Sequence, residues 1–357
     1  TAVFCAINVV SRDVAALPRH VYRTLKGGGF EIESGHHVEP LIGALDPNED
    51  MGRFRYVQTQ MGHVLGRGNG LSEIVRQSGR PVSLELLHPV KTKPKRTPGG
   101  KLFYELENQK KLLAEDVLHF AGLGFDGVTG YGPITVCRQS VGAAIAVEQF
   151  GASFFGNSAI PRGLLKFPKV LKEGALKNLR ESWNRVHQGT QSAHQVAILE
   201  EGGEWVNTQI SPEDSQFLQS RQFTVLEIAR LFGVPPHKLQ DYSAAHLANV
   251  EESNLDYLAT TILGHVTMLD DEFSRKLLTR AEREAGLVIL TDLRAMLRGN
   301  TSVRTAYYQA MRNMGAMSAN DIRRAESLNP LPDGTGGELY LVQSQYTPLD
   351  QVGKAPP

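Results

Sequence analysis

The chain has 357 residues, which is enough for two or three domains. Its 41% hydrophobic and 21% charged residues are typical of a globular protein. Its 38 Lys and Arg balance 38 Asp and Glu, whereas a protein that grips DNA by its phosphates carries a basic excess. We therefore expect any contact with nucleic acid to be local or weak. Apolar runs fall short of the roughly 20 residues of a membrane span. Cys5 and Cys137 are too few for a disulfide framework or a zinc site.

Residues 1–132 combine helical patterns with short strands. Apolar residues that recur on one face predict a helix over residues 1–21, with Pro18 near its end. Because the sequence begins inside this pattern and without Met, we expect further residues to precede it. His36 and His37 are adjacent in a polar segment. Neighbouring side chains on regular structure point in different directions, so we predict no metal site there.

The glycine-rich stretch GRGNG at residues 66–70 precedes a strand pattern. It lacks the Lys-Ser/Thr pair of a phosphate-binding loop and does not lead into a helix, so it predicts a hairpin turn. Alternation with Gly and Pro punctuation then predicts a small antiparallel sheet over residues 74–106. Its tip carries basic residues without an acid, namely Lys91, Lys93, Lys95, Arg96 and Lys101. This tip either touches nucleic acid or is a solvated loop, and we favour the solvated loop.

Residues 133–157 have the pattern of one long helix that contains several small residues, namely Gly142, Ala143, Ala144 and Ala146. Small residues let a neighbouring helix approach closely, either within the chain or across a subunit interface. An insert at residues 158–210 follows, with a predicted strand, a helix over residues 175–187 and two further strands. The early half of this insert is rich in Lys and Arg, with only Glu173 and Glu181 against them.

Residues 211–252 are the most informative part of the chain. The run SPED at residues 211–214 is a strong helix start. The Ser211 hydroxyl can cap free backbone amides, and the two acids lie at the positive end of the helix dipole. An apolar stripe continues to Phe232, about 30 Å along at the ideal rise. GVPP at residues 233–236 then stops the helix. A loop over residues 237–248 follows, and a second long helix begins near Asn249.

The remainder of the chain returns to alternating elements. The helix that follows the loop is predicted through residue 278, and a short strand is predicted at residues 287–290. Two helices are predicted at residues 301–314 and 318–328, the second with a helix-start signal in SAND at residue 318. The Pro/Gly-rich tail beyond residue 346 is expected to be flexible.

Two interpretations of residues 211–252 compete. EIARLFGVPPHKL has the small residues Ala229 and Gly233 where a DNA-reading helix-turn-helix requires them, but its recognition segment, residues 237–242, is very short. The second interpretation is a resemblance. SPEDSQFLQSRQF, EIARLFGVPPHKL and NVEESNLDYLATTI resemble, in this order, the stem helix, tunnel loop and wing helix of portal proteins of tailed double-stranded DNA bacteriophages. The resemblance runs from AALPRHVYR to GGELYLV, so we favour it.

The resemblance implies a mixed α/β (α+β) portal fold. The parts expected in chain order are a wing at 1–132, a first stem helix at 133–157, a clip at 158–212, a second stem helix at 213–234, a tunnel loop at 235–248, a return to the wing at 249–298, a partial helical crown at 299–345 and a flexible tail at 346–357. Within the wing, a helix pair is expected at residues 41–45 and 54–65, around the DPNEDM segment.

The resemblance also implies a ring of about twelve subunits at one capsid vertex, through which genomic DNA is packaged and ejected. The implied partners are other copies of the chain, double-stranded DNA, the terminase packaging ATPase, a head-completion or adaptor protein, and the major capsid or scaffolding protein, with no membrane. The implied location is the portal vertex of the virion, after assembly in the cytoplasm of a bacterial host.

Two sets of residues are the candidate sites. The DNA-channel loop comprises Tyr242, Ser243, Ala244, Ala245, His246 and Leu247. The clip lysines implied to dock the motor or adaptor are Lys166, Lys169, Lys172 and Lys177. At residues 247–252 this chain has LANVEE where family members often have FSNIEQ, so the residue nearest the DNA is not fixed.

We predict no catalytic residues, no cofactor and no metal. The sequence lacks Gly-x-Ser-x-Gly, HExxH, a Walker-type loop and a CxxC pair. Its acid pairs, such as residues 115–116, 251–252 and 270–271, are adjacent in sequence and do not converge on one substrate, so they are expected on solvated faces. We therefore predict a non-enzyme that relies on a separate packaging ATPase.

Overall fold

The computed structural model describes residues 2–44, 46–156, 164–166, 174, 177, 204–206, 213–241, 250–294, 296, 301–326 and 328–341. Helices and antiparallel strands both contribute to this part of the chain, which confirms the predicted mixed α/β class. Of the helices in these ranges, none is long and apolar enough to cross a membrane.

The N-terminal helix α1 (Ala2–Ala16) is shorter than predicted. Strand β1 (Arg19–Thr24) begins soon after it, so the prediction of a helix up to residue 21 is wrong at its end. Pro18 explains the difference, because the proline ring disfavours a helical conformation of the preceding residue. The chain therefore leaves the helix at Leu17 and enters a sheet.

Strand β1 is the middle strand of a three-stranded antiparallel sheet. It pairs with β2 (Phe30–Ile32) on one side and with β11 (Leu287–Thr291) on the other. The strand predicted at residues 287–290 is confirmed. The register places Arg19 opposite Thr291, so this sheet joins segments that are far apart in the sequence.

The GRGNG stretch ends a helix and does not join two strands. A π-helical turn at Pro40–Ala44 is followed by helix α2 (Arg53–Arg67). This helix ends at Gly68, which has a φ of 83° and donates its N–H to Val64 O at 2.7 Å. Strand β3 (Asn69–Gln77) begins at the next residue. The predicted hairpin turn is therefore wrong, and the glycine serves the left-handed cap of a helix.

Residues 69–121 form two small antiparallel sheets, whereas a single sheet was expected. In the first sheet, β3 lies between β4 (Arg80–Leu87) and β8 (Val117–Ala121). The second sheet consists of β5 (Lys93–Arg96), β6 (Leu102–Glu105) and β7 (Lys111–Leu113).

The basic residues of the second sheet are partly paired with acids. Lys95 contacts Glu105, and Lys91 Nζ lies 2.7 Å from Glu107 Oε2. The tip itself contains no acid, and the partner carboxylates come from β6 and the turn after it. These ion pairs are largely exposed and contribute little stability. The tip is a solvated hairpin with partly balanced charge.

The middle of the described chain contains two long helices and a pair of short strands. In order these elements are α3 (Pro133–Val136), α4 (Arg138–Gly156), β9 (Leu164–Lys166), β10 (Glu204–Val206) and α5 (Glu213–Phe232). Helix α4 packs against α5. The helix predicted from residue 213 to 232 is confirmed, and the one predicted at 133–157 is confirmed with a break at Cys137. The helix predicted at 175–187 lies outside the described residues except for Lys177.

A long helical run follows and leads to the last elements. These are α6 (Val250–Tyr257), a π-helical turn (Leu258–Ile262), α7 (Leu263–Leu277), α8 (Arg280–Glu284), α9 (Thr301–Asn313) and α10 (Ala319–Ala325). The first three are continuous and confirm the helix predicted from residue 249 to 278. Ser318 and Asp321 cap α10 reciprocally, as the helix-start signal predicted.

Helix α7 is the central element of the main core. Its buried Phe273 packs against Phe120 of β8, with ring centres 5.1 Å apart, in a core cluster that also contains residues of α1, α2 and α5. Its polar groups bond to earlier strands: Glu272 Oε1 accepts from His119 N at 2.9 Å, and Lys276 O accepts from Arg76 Nη2 at 2.9 Å. The helix that follows the loop therefore completes the core that the N-terminal half begins.

Asp270 on α7 links three elements. Its Oδ1 accepts from Arg19 Nε at 2.8 Å and from Thr291 Oγ1 at 2.7 Å, and its Oδ2 accepts from Thr291 N at 2.8 Å. Arg19 is only 1% exposed, and its guanidinium lies 5.1 Å from the centre of the Phe273 ring. The expectation that the acids at residues 270–271 lie on a solvated face is therefore wrong for Asp270.

We expect Asp270→Ala to lower the free energy of unfolding by about 3–5 kcal/mol, because it leaves the Arg19 charge buried without its partner. Glu284→Ala is the matched control, since it removes an ion pair with Arg280 whose side chains are 87% and 65% exposed. That change should be below about 1 kcal/mol. Urea unfolding of both variants measures the difference, and equally small losses would contradict a structural role for Asp270.

Candidate functional site at the base of the loop

Helix α5 ends in a left-handed cap at the start of the predicted loop. Gly233 follows the last helical residue and has a φ of 63°. The Val234 N–H donates to Ala229 O at 2.9 Å, and the Gly233 N–H donates to Arg230 O at 3.2 Å. These two bonds form a Schellman motif, which satisfies carbonyls at the end of the helix. The stop predicted from GVPP is therefore confirmed.

The cap also lies against the helical run that follows the loop. Thr261 Oγ1 donates to Gly233 O at 2.5 Å, and a Cβ on Gly233 would lie 2.8 Å from the same hydroxyl. A side chain at this position would have to displace Thr261 and adopt an unfavourable left-handed φ. The end of α5 is thus fixed to the π-helical turn.

A single 3-10 turn, Pro236–Leu239, follows the cap. Pro235 is extended, Pro236 occupies the first position of the turn, and Gln240 closes it with a φ of 63°. Asp241 N donates to Pro236 O at 3.1 Å. One short turn cannot lie in a DNA major groove as a recognition helix does. The helix-turn-helix alternative is therefore not supported.

Lys238 in this turn bridges to helices on both sides. Its Nζ lies 3.5 Å from Asp13 Oδ2 on α1 and 5.0 Å from the centre of the Tyr257 ring on α6. Tyr257 is fully buried. Burial raises the pKa of its hydroxyl, and the Asp13 charge raises it further. The ring therefore stays a neutral, electron-rich face that a cation contacts favourably.

The turn before the loop meets the helix after it. His237 Nδ1 lies 3.5 Å from Ser253 Oγ, at the limit of a hydrogen bond. The chain segments before residue 242 and after residue 249 are therefore in contact with each other. The predicted channel residues lie outside the described part of the chain and remain predictions, namely Tyr242, Ser243, Ala244, Ala245, His246 and Leu247.

The clip lysines are only partly placed. Strands β9 and β10 pair antiparallel, with Lys166 opposite Glu204. Lys166 and Lys177 are exposed. Lys169 and Lys172 lie outside the described residues, so the predicted basic docking surface stays a prediction.

His36 and His37 converge on Glu282, contrary to the expectation that they point apart. They lie in an irregular turn, their ring centres are 4.4 Å apart, and Glu282 Oε1 lies 3.1 Å from His36 Nε2 and 3.8 Å from His37 Nδ1. His36 Nδ1 accepts the Val38 N–H at 3.3 Å, so a neutral His36 carries its proton on Nε2 and donates it to Glu282. A metal on Nε2 would require the opposite tautomer. The arrangement favours a hydrogen-bonded link.

Burial and neighbouring groups determine the protonation states of this cluster. Burial lowers the pKa of His37, and the His36 charge lowers it further. Burial alone would raise the pKa of Glu282, but bonds from Thr279 and His36 more than offset it, and the pKa is lowered. At neutral pH His37 is therefore neutral and Glu282 ionised. The cluster joins the segment after β2 to the start of α8.

Sequence reasoning did not find the residues that hold the base of the loop. Asp13 on α1 contacts Lys238, and Thr261 in the π-helical turn contacts Gly233. Both residues lie on elements outside residues 233–248. One signal pointed to Asp13, since it is the single acid of α1. Gly233 was identified from its sequence context as a helix stop and as a small residue of the helix-turn-helix alternative, but its contact with Thr261 was not predicted.

The comparisons with known proteins agree with this architecture. The family described as "Phage portal protein" matches residues 1–327. The probable portal protein of Streptomyces phage phiC31 is 30% identical over 374 residues, which cover all of this chain and 79% of the relative. The portal protein of Enterobacteria phage HK97 is 28% identical over 362 residues, covering 99% of this chain and 84% of the relative.

A solved structure shares the fold. The neck of a native gene transfer agent particle, computed with C12 symmetry, matches with a TM-score of 0.64 at 21% identity and covers 93% of this chain and 91% of the other. The fold is that of portal proteins from phages and phage-like particles. The chain belongs to the phage portal protein family.

Gly233→Ala should lower the free energy of unfolding by about 1–3 kcal/mol, because the new Cβ meets Thr261 and the left-handed φ becomes strained. Gly264→Ala is the matched control, since nothing lies within 4 Å of a Cβ built there on helix α7. This control should raise stability by up to about 1 kcal/mol. Urea unfolding compares the two, and a Gly233→Ala protein as stable as the control would disprove the close contact.

Proposed function

We propose that the chain forms a closed ring at one capsid vertex and that double-stranded DNA passes through this ring during packaging and ejection. The observation that carries the proposal is a family match over nearly the whole chain, supported by the fold shared with a neck of C12 symmetry. A ring of about twelve copies requires head-to-tail contacts whose rotation closes. The ring contacts capsid or scaffolding protein at the vertex and assembles in the host cytoplasm.

The proposal assigns residues 242–247 to the channel. Support comes from the contacts at the base of this loop. Gly233 and His237, which precede the loop, contact the helical run that follows it, and Lys238 contacts α1. The segment has no Lys or Arg, so it cannot hold phosphates by counterion release. Small and apolar contacts would let DNA slide. A competing possibility is that the segment seals the contact with the neighbouring subunit.

Ala244→Lys and Ala245→Lys should slow packaging or shorten the packaged genome, because each change places a ring of positive charge beside the DNA phosphates. Packaging rate and genome length in particles are the measurements. Native mass spectrometry at high concentration and electron microscopy of particles should show the same closed ring for both variants and for the unmodified chain.

Ala244→Gln and Ala245→Gln are the matched controls, since they add comparable bulk without charge. If the lysine and glutamine variants package at the unmodified rate, the loop is assigned to the subunit contact. If the unmodified chain forms no ring in solution or in particles, the proposed function itself is wrong.

We also propose that residues 158–210 dock the terminase motor and later a head-completion protein, and that ATP hydrolysis belongs to the motor. The exposed Lys166 and Lys177 support this assignment, because surface charge steers association. Reversing Lys166, Lys169, Lys172 and Lys177 to Glu should slow association with an acidic motor by about tenfold at low salt. The exposed Lys101→Glu is the control. Equal association rates would rule out this surface as the docking site. ATPase activity of the isolated ring would contradict the assignment of ATP hydrolysis to the motor.

A further inference from the structure

The loop over residues 122–132, which joins β8 to α3, presents two apolar side chains to solvent. Leu123 is 88% exposed and Phe125 is 93% exposed. Within the described residues they are the most exposed large hydrophobic side chains. Single exposed apolar residues are ordinary, but two on one projecting loop mark a contact surface.

The loop is held in one conformation by its own hydrogen bonds. Tyr131 N donates to Leu123 O at 2.7 Å across the loop. Asp126 Oδ1 accepts from Val128 N at 2.9 Å and from Thr129 N at 2.7 Å. The one acid of the loop is therefore used to shape it. The exposed tip then presents two apolar side chains from a fixed backbone.

The base of the loop is equally constrained. Asn69 Nδ2 donates to Gly130 O at 2.8 Å, and Asn69 Oδ1 accepts from Gly130 N at 2.8 Å. A Cβ on Gly124 would lie 1.9 Å from Thr129 O, and a Cβ on Gly130 would lie 2.1 Å from Gly68 O. Backbone this close admits no side chain at either glycine, so the base of the loop is tightly packed.

We infer that Leu123 and Phe125 form an apolar knob that inserts into the adjacent copy of this chain in the ring. The inference rests on the proposed function, since a ring gives every copy the same neighbour. Head-to-tail contacts place a projecting patch of one copy on a different patch of the next. A preorganised apolar knob suits such a contact because it loses little conformational entropy on binding.

Further exposed apolar residues follow the loop in sequence. After the loop, Tyr131, Val136 and Ile145 are 51%, 64% and 50% exposed. The exposed Gly142 on α4 has nothing within 4 Å of a Cβ built on it. Exposed apolar residues thus follow the loop in sequence through α3 into α4, and Gly142 leaves room on α4 for a neighbouring helix. The partner surface that fits is apolar and uncharged.

The occupant is tested by replacing Phe125 with photoreactive benzoylphenylalanine in the full chain and irradiating assembled rings. The expected product is a covalent dimer of the chain, with mass spectrometry placing the second end on a surface distinct from residues 122–132. A cross-link to a capsid or scaffolding protein, or no cross-link in assembled rings, would overturn the inference.

The energetic role is tested by Leu123→Asp and Phe125→Asp. Ring formation, measured by native mass spectrometry, should require about tenfold or more higher protein concentration. The urea midpoint of the single chain should not change, because both side chains are exposed. Phe125→Leu, which keeps an apolar side chain, should assemble like the unmodified chain. If both Asp variants assemble normally while the unmodified chain forms rings, the knob is wrong and the ring stands. If the unmodified chain forms no ring, both proposals fail.

Discussion

The buried contact between Arg19 and Asp270 is the constraint on which the rest of the structure depends. Arg19 begins β1, Asp270 lies on α7, and the same carboxylate accepts both polar groups of Thr291 on β11. A charge buried to this extent is stable only with its partner in place. The contact therefore joins residues 2–121 and residues 250–291 into one body, although residues 122–249 lie between them in sequence.

That single body determines how the middle of the chain is presented. The chain leaves it after β8, passes through α4 and α5, and returns at α6 beside the point where Lys238 meets Asp13. Gly233 and Thr261 fix the end of α5 to the returning helix. Residues 241 and 250, on either side of the segment proposed for the channel, thus belong to one base. This shared base would anchor the segment if it contacts DNA as proposed.

Local signals were sufficient for some elements and failed where distant contacts decide. The helix from residue 213 to 232 was predicted correctly because its start and stop are both encoded in adjacent residues. GRGNG was misread because the same glycines that permit a hairpin also permit a left-handed helix cap, and Gly68 fits tightly against Tyr131. His36 and His37 meet through Glu282, which is distant in sequence. The loop residues, Lys169 and Lys172 lie outside the described residues, so the channel and docking roles stay predictions.

Ring symmetry gives a physical reason for both the neutral loop and the apolar knob. One lysine per copy in the loop would place about twelve positive charges around the DNA, and each phosphate neutralised adds to a salt-dependent grip that opposes movement. Because a ring repeats each contact between copies about twelve times, each single contact can be weak. A knob of two side chains, Leu123 and Phe125, adds little to one association step, yet a closed ring makes that contact at every interface. Single chains can therefore remain soluble and separate, while a completed ring is held by all of its contacts together.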